Sequence, residues 1–218
     1  MSGLNRSRQL DIFRPDQALS PITVIGAGGI GSPTVLLLAQ MGVPELTVID
    51  FDTVEAHNRA SQLYPGNDIG KPKVESLAET VERFTDCRIK VRQERYVAQP
   101  LSGLVISAVD SIAVRHEIWA QLRYNPHVPL YIDGRMGGQI YVVLTSRPCD
   151  PDDVTFYEQH LFKPSEAADV PCTARSIAYN TFAIASVIGA LVRMWWVEGK
   201  VPHKAQGDLS RLNYLTFQ

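Results

Sequence analysis

The chain has 218 residues, which suits one domain with a full core, or one domain with a long arm. Its net charge of −2 gives no sign of a nucleic-acid surface, so we expect no nucleic-acid partner. The N-terminus is polar and has no apolar signal core, which predicts a cytoplasmic protein. Cys87, Cys149 and Cys172 form no CxxC pair, so neither a zinc site of that kind nor a disulfide framework is indicated.

Apolar patterns divide the chain into an N-terminal arm at 1–20, a domain at 21–198 and a polar C-terminal tail at 199–218. Strand and helix patterns alternate through the domain. This alternation predicts an α/β fold, a Rossmann-like doubly wound, mostly parallel sheet with helices on both faces. In chain order the predicted elements are a strand at about 22–25, a helix at 30–42, a strand at 46–50, a helix at 71–84, strands at 89–95 and 104–109, a helix at 111–124, strands at 130–132 and 140–145, a short helix near 151–160 and a long helix at 176–197.

The hexapeptide Gly26-Ala27-Gly28-Gly29-Ile30-Gly31 lies between the first predicted strand and helix. Gly26 permits a tight turn, Gly28 lets a phosphate approach bare backbone, and Gly31 lets the helix pack closely on the strand. The helix N-terminus offers unpaired N–H groups to an anion. Asp50, at the end of the second strand, can accept hydrogen bonds from ribose hydroxyls. The segment predicts a nucleotide site without specifying the nucleotide.

The segment from Ser176 to Val192 carries no charge and is almost long enough to span a bilayer. It contains Asn180, Thr181 and several small residues, and Arg193 follows it directly. We therefore predict a buried core helix or a dimer helix, and we expect no membrane partner.

Further blocks follow the glycine turn in a fixed order. They resemble the adenylating enzymes of the ThiF/MoeB/HesA group, prokaryotic relatives of ubiquitin-activating enzymes, whose pattern is GxGGxG, DxDxV, NxxRQ, GxxK and a DN pair with an arginine shortly after. The resemblance covers about residues 6–125 in register. The matching blocks are Asp50-Phe51-Asp52-Thr53-Val54, then Asn58 and Gln62, then Gly70-Lys71-Pro72-Lys73, and then Val109-Asp110-Ser111 with Arg115.

The resemblance implies a specific reaction. In that family the C-terminal carboxylate of a small ubiquitin-like or sulfur-carrier protein attacks the α-phosphorus of ATP, and the products are an acyl adenylate and pyrophosphate. The implied cofactors are ATP and Mg²⁺, the implied partner is the carrier protein, and the implied working unit is a homodimer. The fold, the activity and the partners are therefore expectations carried by the resemblance.

The matching positions take their implied roles from the family. Lys73 would contact the phosphates, and Asp110 would organise Mg²⁺ and the reacting phosphate. Arg8 resembles a family arginine that reaches into the partner protomer's active site. Taken alone, Lys73 would be a solvated helix lysine and Asp110 a helix N-cap. The implied nucleotide-binding set is Gly26, Gly28, Gly29, Gly31, Asp50, Asp52, Asn58, Arg59, Gln62 and Lys73, the implied catalytic set is Asp110, Lys73, Arg8 and Cys172, and the implied metal ligand is Asp110.

The chain departs from the family pattern at several positions. Ser61 stands where the NxxRQ arginine is expected, the loop to Gly70 is about one residue short, and Ser111 replaces the asparagine of the DN pair. Arg59, two positions before Ser61, is a candidate substitute for the missing phosphate cation. The zinc cysteines of many relatives are absent.

Cys172 lies just before the long helix and near Arg175. Many relatives place an acceptor cysteine in this crossover segment, where it takes the activated carboxylate as a thioester. A nearby arginine and a helix N-terminus favour the thiolate, which is the nucleophilic form. The alternative is a packed or idle thiol.

Two alternative functions remain open at this point. The glycine turn also suits an NAD-dependent oxidoreductase, although the GxxK block and Asp110 have no reason to exist there. The missing arginine at position 61 is compatible with a non-catalytic subunit of a heterodimeric activator of ubiquitin-like proteins.

Overall fold

A computed structural model describes residues 4–161 and 176–217. Within these residues the strands form one eight-stranded sheet in the order β3-β2-β1-β4-β5-β6-β7-β8. The predicted α/β fold is confirmed. The strands are β1 (Ile22–Ile25), β2 (Leu46–Ile49), β3 (Lys90–Arg92), β4 (Leu104–Ser107), β5 (Tyr131–Gly137), β6 (Ile140–Ser146), β7 (Lys204–Asp208) and β8 (Asn213–Phe217), and the helices are α1 (Gly31–Met41), α2 (Lys73–Thr85), α3 (Ile112–Leu122), α4 (Pro151–Gln159) and α5 (Ala178–Glu198).

Strands β3, β2, β1, β4 and β5 run parallel, and β1 lies between β2 and β4. Ile25 at the end of β1 pairs with Ile49 of β2 and with Ser107 of β4. The carboxyl ends of the three strands are therefore level, and the turns that follow them meet at one edge of the sheet. In open α/β sheets this edge is where ligands bind.

Helices cover both faces of the parallel half. One core cluster joins β1 and β4 to residues of α1, α2 and α5, and the other joins the opposite faces of these strands to α3 and α4. Because β4 is covered on both sides, its four residues Leu104, Val105, Ile106 and Ser107 are all fully buried, as expected for a continuous apolar strand. The doubly wound arrangement predicted from the alternation of elements is therefore present.

The other half of the sheet is antiparallel. β5 and β6 form a hairpin whose turn contains Gly138 at φ +58°, a conformation that favours glycine. β7 pairs with β6, and β8 pairs with β7 at the outer edge, where all five of its residues are exposed. The residues predicted as a polar tail thus supply β7 and β8, so this edge is built from segments on either side of α5.

Helix α5 is long and apolar enough, by length and composition alone, to cross a membrane. Half of its most apolar window is buried inside the structure, where it packs against α1, β5 and β6. Ile184 and Ile188 lie in the core, whereas Tyr179 and Phe182 are exposed. A Cβ at Gly189 would overlap Leu37, so the absence of a side chain there lets α5 approach α1 closely.

The N-terminal arm is fastened to the C-terminal end of α1. The guanidinium of Arg6 donates to the carbonyl oxygens of Gln40 (2.8 Å) and Ala39 (2.9 Å). The amide of Gln9 donates to the carbonyl oxygen of Met41 at 2.7 Å. The arm therefore caps the last carbonyls of α1, together with the N–H of Gly42, which also donates to the carbonyl oxygen of Ala39 at 3.0 Å. The glycine turn lies at the other end of α1, which at 1.5 Å per residue is roughly 16 Å away.

Candidate active site at the carboxyl ends of the parallel strands

The glycine turn packs directly on the turn that follows β4. Gly26 has φ +98°, and a Cβ there would lie 2.6 Å from the carbonyl oxygen of Ala108. A Cβ on Gly31 would overlap the carbonyl oxygen of Gly26. Both positions therefore require glycine, for the tight turn and the close helix approach that the sequence predicts. Gly28 has open space around it, with only the side chain of Gln62 within 4 Å of an added Cβ.

Ala27, inside the glycine turn, is held at both of its backbone polar atoms. Its N–H donates to Oδ2 of Asp50 at 2.6 Å, and its carbonyl oxygen accepts from the hydroxyl of Tyr64. Oδ1 of Asp50 also accepts the N–H of Asp52 at 2.8 Å. Asp50 therefore organises the turn in addition to its predicted role on ribose, for which each carboxylate oxygen retains a further lone pair.

Lys73 is the buried lysine of the site. Its side chain is only 6% exposed, and Nζ lies 2.7 Å from Oδ2 of Asp52, three residues after β2. The alternative of a solvated helix lysine is wrong for Lys73. Lys71, two residues earlier in the same block, pairs instead with Glu79 on the exposed side of α2. The geometry thus separates two lysines that the sequence pattern leaves close together.

Asp110 is exposed in the turn between β4 and α3, and its side chain has no hydrogen bond or ion pair among the described residues. The N-cap of α3 is Ser111, whose hydroxyl accepts the N–H of Val114 at 3.4 Å. The reading of Asp110 as an N-cap is therefore wrong. Its carboxylate is left available beside the glycine turn.

Arg115 fastens the turn that carries Asp110. Arg115 is 4% exposed, and its guanidinium donates to the carbonyl oxygen of Val109 and forms an ion pair with Asp133 of β5. It also lies 3.3 Å from the carbonyl oxygen of Gly134. One buried side chain thus ties the backbone next to Asp110 to the neighbouring strand.

Asp133 is the centre of a buried polar cluster that the sequence analysis missed. It is fully buried, and besides Arg115 it accepts hydrogen bonds from Nε of Arg135 (2.8 Å) and from the hydroxyl of Tyr157 (3.0 Å). Burial, and then the negative charge of Asp133, raises the pKa of the Tyr157 hydroxyl well above its ordinary value. The only signal in the sequence is an acid directly after the apolar residues Leu130–Ile132.

The segment from Asn58 to Tyr64 lies over the glycine turn. Asn58 is half-buried, and the side chain of Gln62 faces Gly28. Arg59 is exposed, donates to the carbonyl oxygen of Tyr64 at 3.3 Å and lies against Gly66, so it is bonded within its own loop. Ser61, in place of the family arginine, accepts a hydrogen bond from Ser176 at 2.9 Å.

Of the two remaining predicted catalytic residues, only Arg8 is described, and it lies away from this cluster. Arg8 is exposed in the arm, and it has no hydrogen bond or ion pair with the residues that the structure describes. Cys172 lies outside the described residues. The structure therefore brings together Gly26, Gly28, Gly29, Gly31, Asp50, Asp52, Asn58, Gln62, Lys73 and Asp110 at one edge of the sheet.

Comparison with known proteins reveals several relatives by sequence. The chain is 35% identical over 152 residues to the molybdopterin-synthase adenylyltransferase of Salmonella typhimurium, covering 64% of this chain and 60% of that protein. It is 35% identical over 128 residues to the tRNA threonylcarbamoyladenosine dehydratase of Escherichia coli, covering 55% and 47%. It is 44% identical over 105 residues to the adenylyltransferase and sulfurtransferase UBA4 of Yarrowia lipolytica, covering 44% and 26%. The chain thus spans 26–60% of the length of these relatives.

Solved structures share the fold. PaaA superposes with a TM-score of 0.73 at 18% identity, covering 94% of this chain and 65% of PaaA. E. coli MccB solved with ATP superposes with a TM-score of 0.71 at 16% identity, covering 93% and 64%. The sequence profile of the ThiF family matches residues 7–218, which is nearly the whole chain. The chain therefore belongs to the ThiF family.

Proposed function

We propose that the chain catalyses ATP-dependent adenylylation of the C-terminal carboxylate of a small ubiquitin-like or sulfur-carrier protein. The observation that carries this proposal is the meeting of the glycine turn, Asp50, the buried Lys73 and the unpaired Asp110 at the level ends of β1, β2 and β4. Membership of the ThiF family supports it, as do relatives named adenylyltransferases in Salmonella typhimurium and Yarrowia lipolytica.

The proposed reaction needs no general base. An oxygen of the carrier's carboxylate bonds to the α-phosphorus of ATP, the bond from that phosphorus to the oxygen bridging the α- and β-phosphates breaks, and pyrophosphate leaves with that electron pair. Because a carboxylate is already a nucleophile, no proton has to move. The protein contributes by positioning the two reactants and by stabilising the charge on the phosphates.

Lys73 is the proposed phosphate ligand. Its ammonium group has three N–H donors, and Asp52 occupies one of them at 2.7 Å. The others are free to bind phosphate oxygens. The pairing with Asp52 also holds the long side chain in one orientation, so less rotamer freedom is lost when the phosphate binds.

Asp110 is the proposed ligand of Mg²⁺. Among the described residues there is no group of three or more His, Cys, Asp or Glu side chains that would hold a metal ion. Mg²⁺ commonly binds through one or two carboxylates together with substrate phosphates, and the exposed, unpaired carboxylate of Asp110 fits that mode. The ion, when bound, supplies positive charge next to the reacting phosphates.

Two further residues enlarge the proposal: Arg8 adds a second protomer, and Cys172 adds a second reaction step. The arm holds Arg8 near the C-terminal end of α1, roughly 16 Å from the glycine turn of its own protomer. We therefore assign Arg8 to the site of a second copy, in a homodimer. Cys172 is the proposed acceptor: its thiolate would attack the carbonyl carbon of the adenylate, form a thioester and release AMP.

Pyrophosphate–ATP exchange on the purified chain tests the activity. The assay uses candidate carrier proteins that end in Gly-Gly, and it compares Asp110→Ala with Glu117→Ala, an exposed acid on α3. We expect carrier-dependent exchange that Asp110→Ala abolishes and Glu117→Ala leaves unchanged. ATP binding without exchange with any carrier would favour the non-catalytic subunit, and binding of NAD(H) in preference to ATP–Mg²⁺ in a thermal shift would favour the oxidoreductase.

A further inference from the structure

Two consecutive carbonyl groups of the glycine turn are held by side chains. The hydroxyl of Tyr64 donates to the carbonyl oxygen of Ala27. The hydroxyl of Ser32 donates to the carbonyl oxygen of Gly28 at 2.8 Å, and it accepts the N–H of Leu63 at 3.2 Å. The loop that contains Leu63 and Tyr64 is therefore bonded to the turn at two neighbouring peptides.

These bonds set the direction of the amides in the same peptides. In a trans peptide the N–H and the C=O point in opposite directions, and the described residues contain no cis peptide bond. Holding the carbonyl of Ala27 therefore orients the N–H of Gly28, and holding the carbonyl of Gly28 orients the N–H of Gly29. Neither N–H has a hydrogen-bond partner among the described residues, whereas the N–H of Ala27 is occupied by Asp50.

We propose that Tyr64 is a positioning residue that, together with Ser32, aims the N–H groups of Gly28 and Gly29 at a phosphate of the bound nucleotide. This inference rests on the proposed function and deepens it, because it names the two amides that bind phosphate and the side chains that hold them. Consecutive unpaired N–H groups beside a helix N-terminus are the arrangement that binds phosphate oxygens.

The environment of Tyr64 suits a permanent donor. The side chain is 5% exposed, and burial, followed by the negative charges of Asp50 and Asp52, raises the pKa of its hydroxyl. The phenol therefore stays protonated at physiological pH and keeps donating to Ala27. Position 64 lies outside the five blocks of the family pattern, so this role comes from the structure of this chain.

Nucleotide binding to the Tyr64→Phe chain tests the inference. The variant keeps the ring and removes only the hydroxyl. Tyr96→Phe is the matched control, because Tyr96 is equally buried, at 4% exposure, but lies in the other core cluster. Equilibrium binding of ATP, AMP and adenosine is measured for the wild type and both variants.

We expect Tyr64→Phe to weaken ATP and AMP about fivefold to tenfold, the size of one lost hydrogen bond, while adenosine binding changes less than about twofold. Ser32→Ala should give a smaller loss of the same kind, because the N–H of Ser32 also donates to the carbonyl oxygen of Gly28 at 3.0 Å, and Tyr96→Phe should give none. Equal weakening of adenosine, or unchanged binding of ATP, would overturn the inference while leaving the proposed function intact. A wild-type chain that binds none of the three ligands would refute the proposed function, and this inference with it.

Discussion

The turns that follow β1 and β4 meet at the carboxyl edge of the parallel strands, and different kinds of interaction hold them in place. In the turn after β1 the carboxylate of Asp50 accepts the N–H of Ala27, but the carbonyls of Ala27 and Gly28 are held by the neutral hydroxyls of Tyr64 and Ser32. The turn after β4 is held by the buried ion pair of Arg115 and Asp133. A neutral hydrogen bond contributes about 0.5–1.5 kcal/mol, but removing one partner of a buried ion pair costs about 3–5 kcal/mol. The turn that carries Asp110 is therefore held strongly, whereas weaker bonds orient the two amides that we propose to bind phosphate.

Removing the buried arginine should give the largest loss of stability. Arg115→Met leaves the carboxylate of Asp133 with one cation fewer, and we expect the free energy of unfolding to fall by about 3–5 kcal/mol. Arg123→Met is the control, because Arg123 forms an exposed pair with Glu158 and should cost less than about 1 kcal/mol. Chemical denaturation measures both. Equal losses for the two variants would show that the comparison between the turns is wrong.

A methyl group at the contact between the two turns should have the next largest effect. Gly26→Ala combines φ +98° with a Cβ 2.6 Å from the carbonyl oxygen of Ala108. We expect a loss of about 2–4 kcal/mol from backbone strain and overlap together. Gly199→Ala, at φ +71° with open space around it, isolates the strain and should cost about 1–2 kcal/mol. If the two variants had the same denaturation midpoint, the overlap with Ala108 would add nothing to the backbone strain, and this prediction would be wrong.

Lowering the pH should have a smaller effect on stability, through the ion pair between Asp153 of α4 and the partly exposed Arg147. Burial raises the pKa of Asp153, but the hydrogen bonds from Arg147 and His203 outweigh it, and the pKa is lowered overall. A lowered pKa in the folded state stabilises the protein above pH 3.8, the ordinary value, and this contribution disappears as the pH falls through the folded pKa. Asp153→Asn should therefore reduce stability at pH 7 and flatten its fall below pH 4. If the stability of Asp153→Asn fell below pH 4 as steeply as that of the wild type, this prediction would be contradicted.

Asp110→Ala should leave stability unchanged. The carboxylate is exposed and has no hydrogen bond or ion pair among the described residues, so we expect the unfolding temperature to move by less than about 2 °C, as for other exposed surface positions. Carrier-dependent exchange should nevertheless fall by at least about 100-fold, the size expected when a group that stabilises transition-state charge is lost. Calorimetry and the exchange assay on the same sample separate the two effects. A large drop in stability would mean that Asp110 supports the turn.

The parallel half of the fold was predictable because its signals are local. The run Leu104–Val109 is apolar except for Ser107, as expected of a strand buried on both faces, and the glycine turn follows a β-branched strand directly. β7 and β8 were not predicted. β7 pairs with β6 from the other side of α5 in the chain, and its two buried residues, Ala205 and Gly207, form no apolar run. β8 in particular has no buried residue from which a pattern could arise.

The site was predictable where residue type and position along a strand suffice, and not where a partner is remote. Lys73 and Asp110 follow from the order of the blocks. The role of Tyr64 on the carbonyl of Ala27 joins residues 37 positions apart, and no local pattern marks a loop tyrosine for it. Arg115 belongs to a block, but its pairing with Asp133 depends on β4 lying beside β5. Arg59 was a candidate phosphate ligand; it bonds Tyr64 here, and that role stays a prediction.

The contact between Gly26 and Ala108 also limits how the protein can change shape when a substrate arrives. Two hydrogen-bonded strands with no room for a methyl group between their turns cannot slide past each other, so the glycine turn and the Asp110 turn move as one body. Any induced fit must therefore occur in the segments joined to this body by a few hydrogen bonds, namely the arm and the loop from Asn58 to Tyr64. We therefore expect these two segments to move when a substrate binds, and the sheet beneath them to stay fixed.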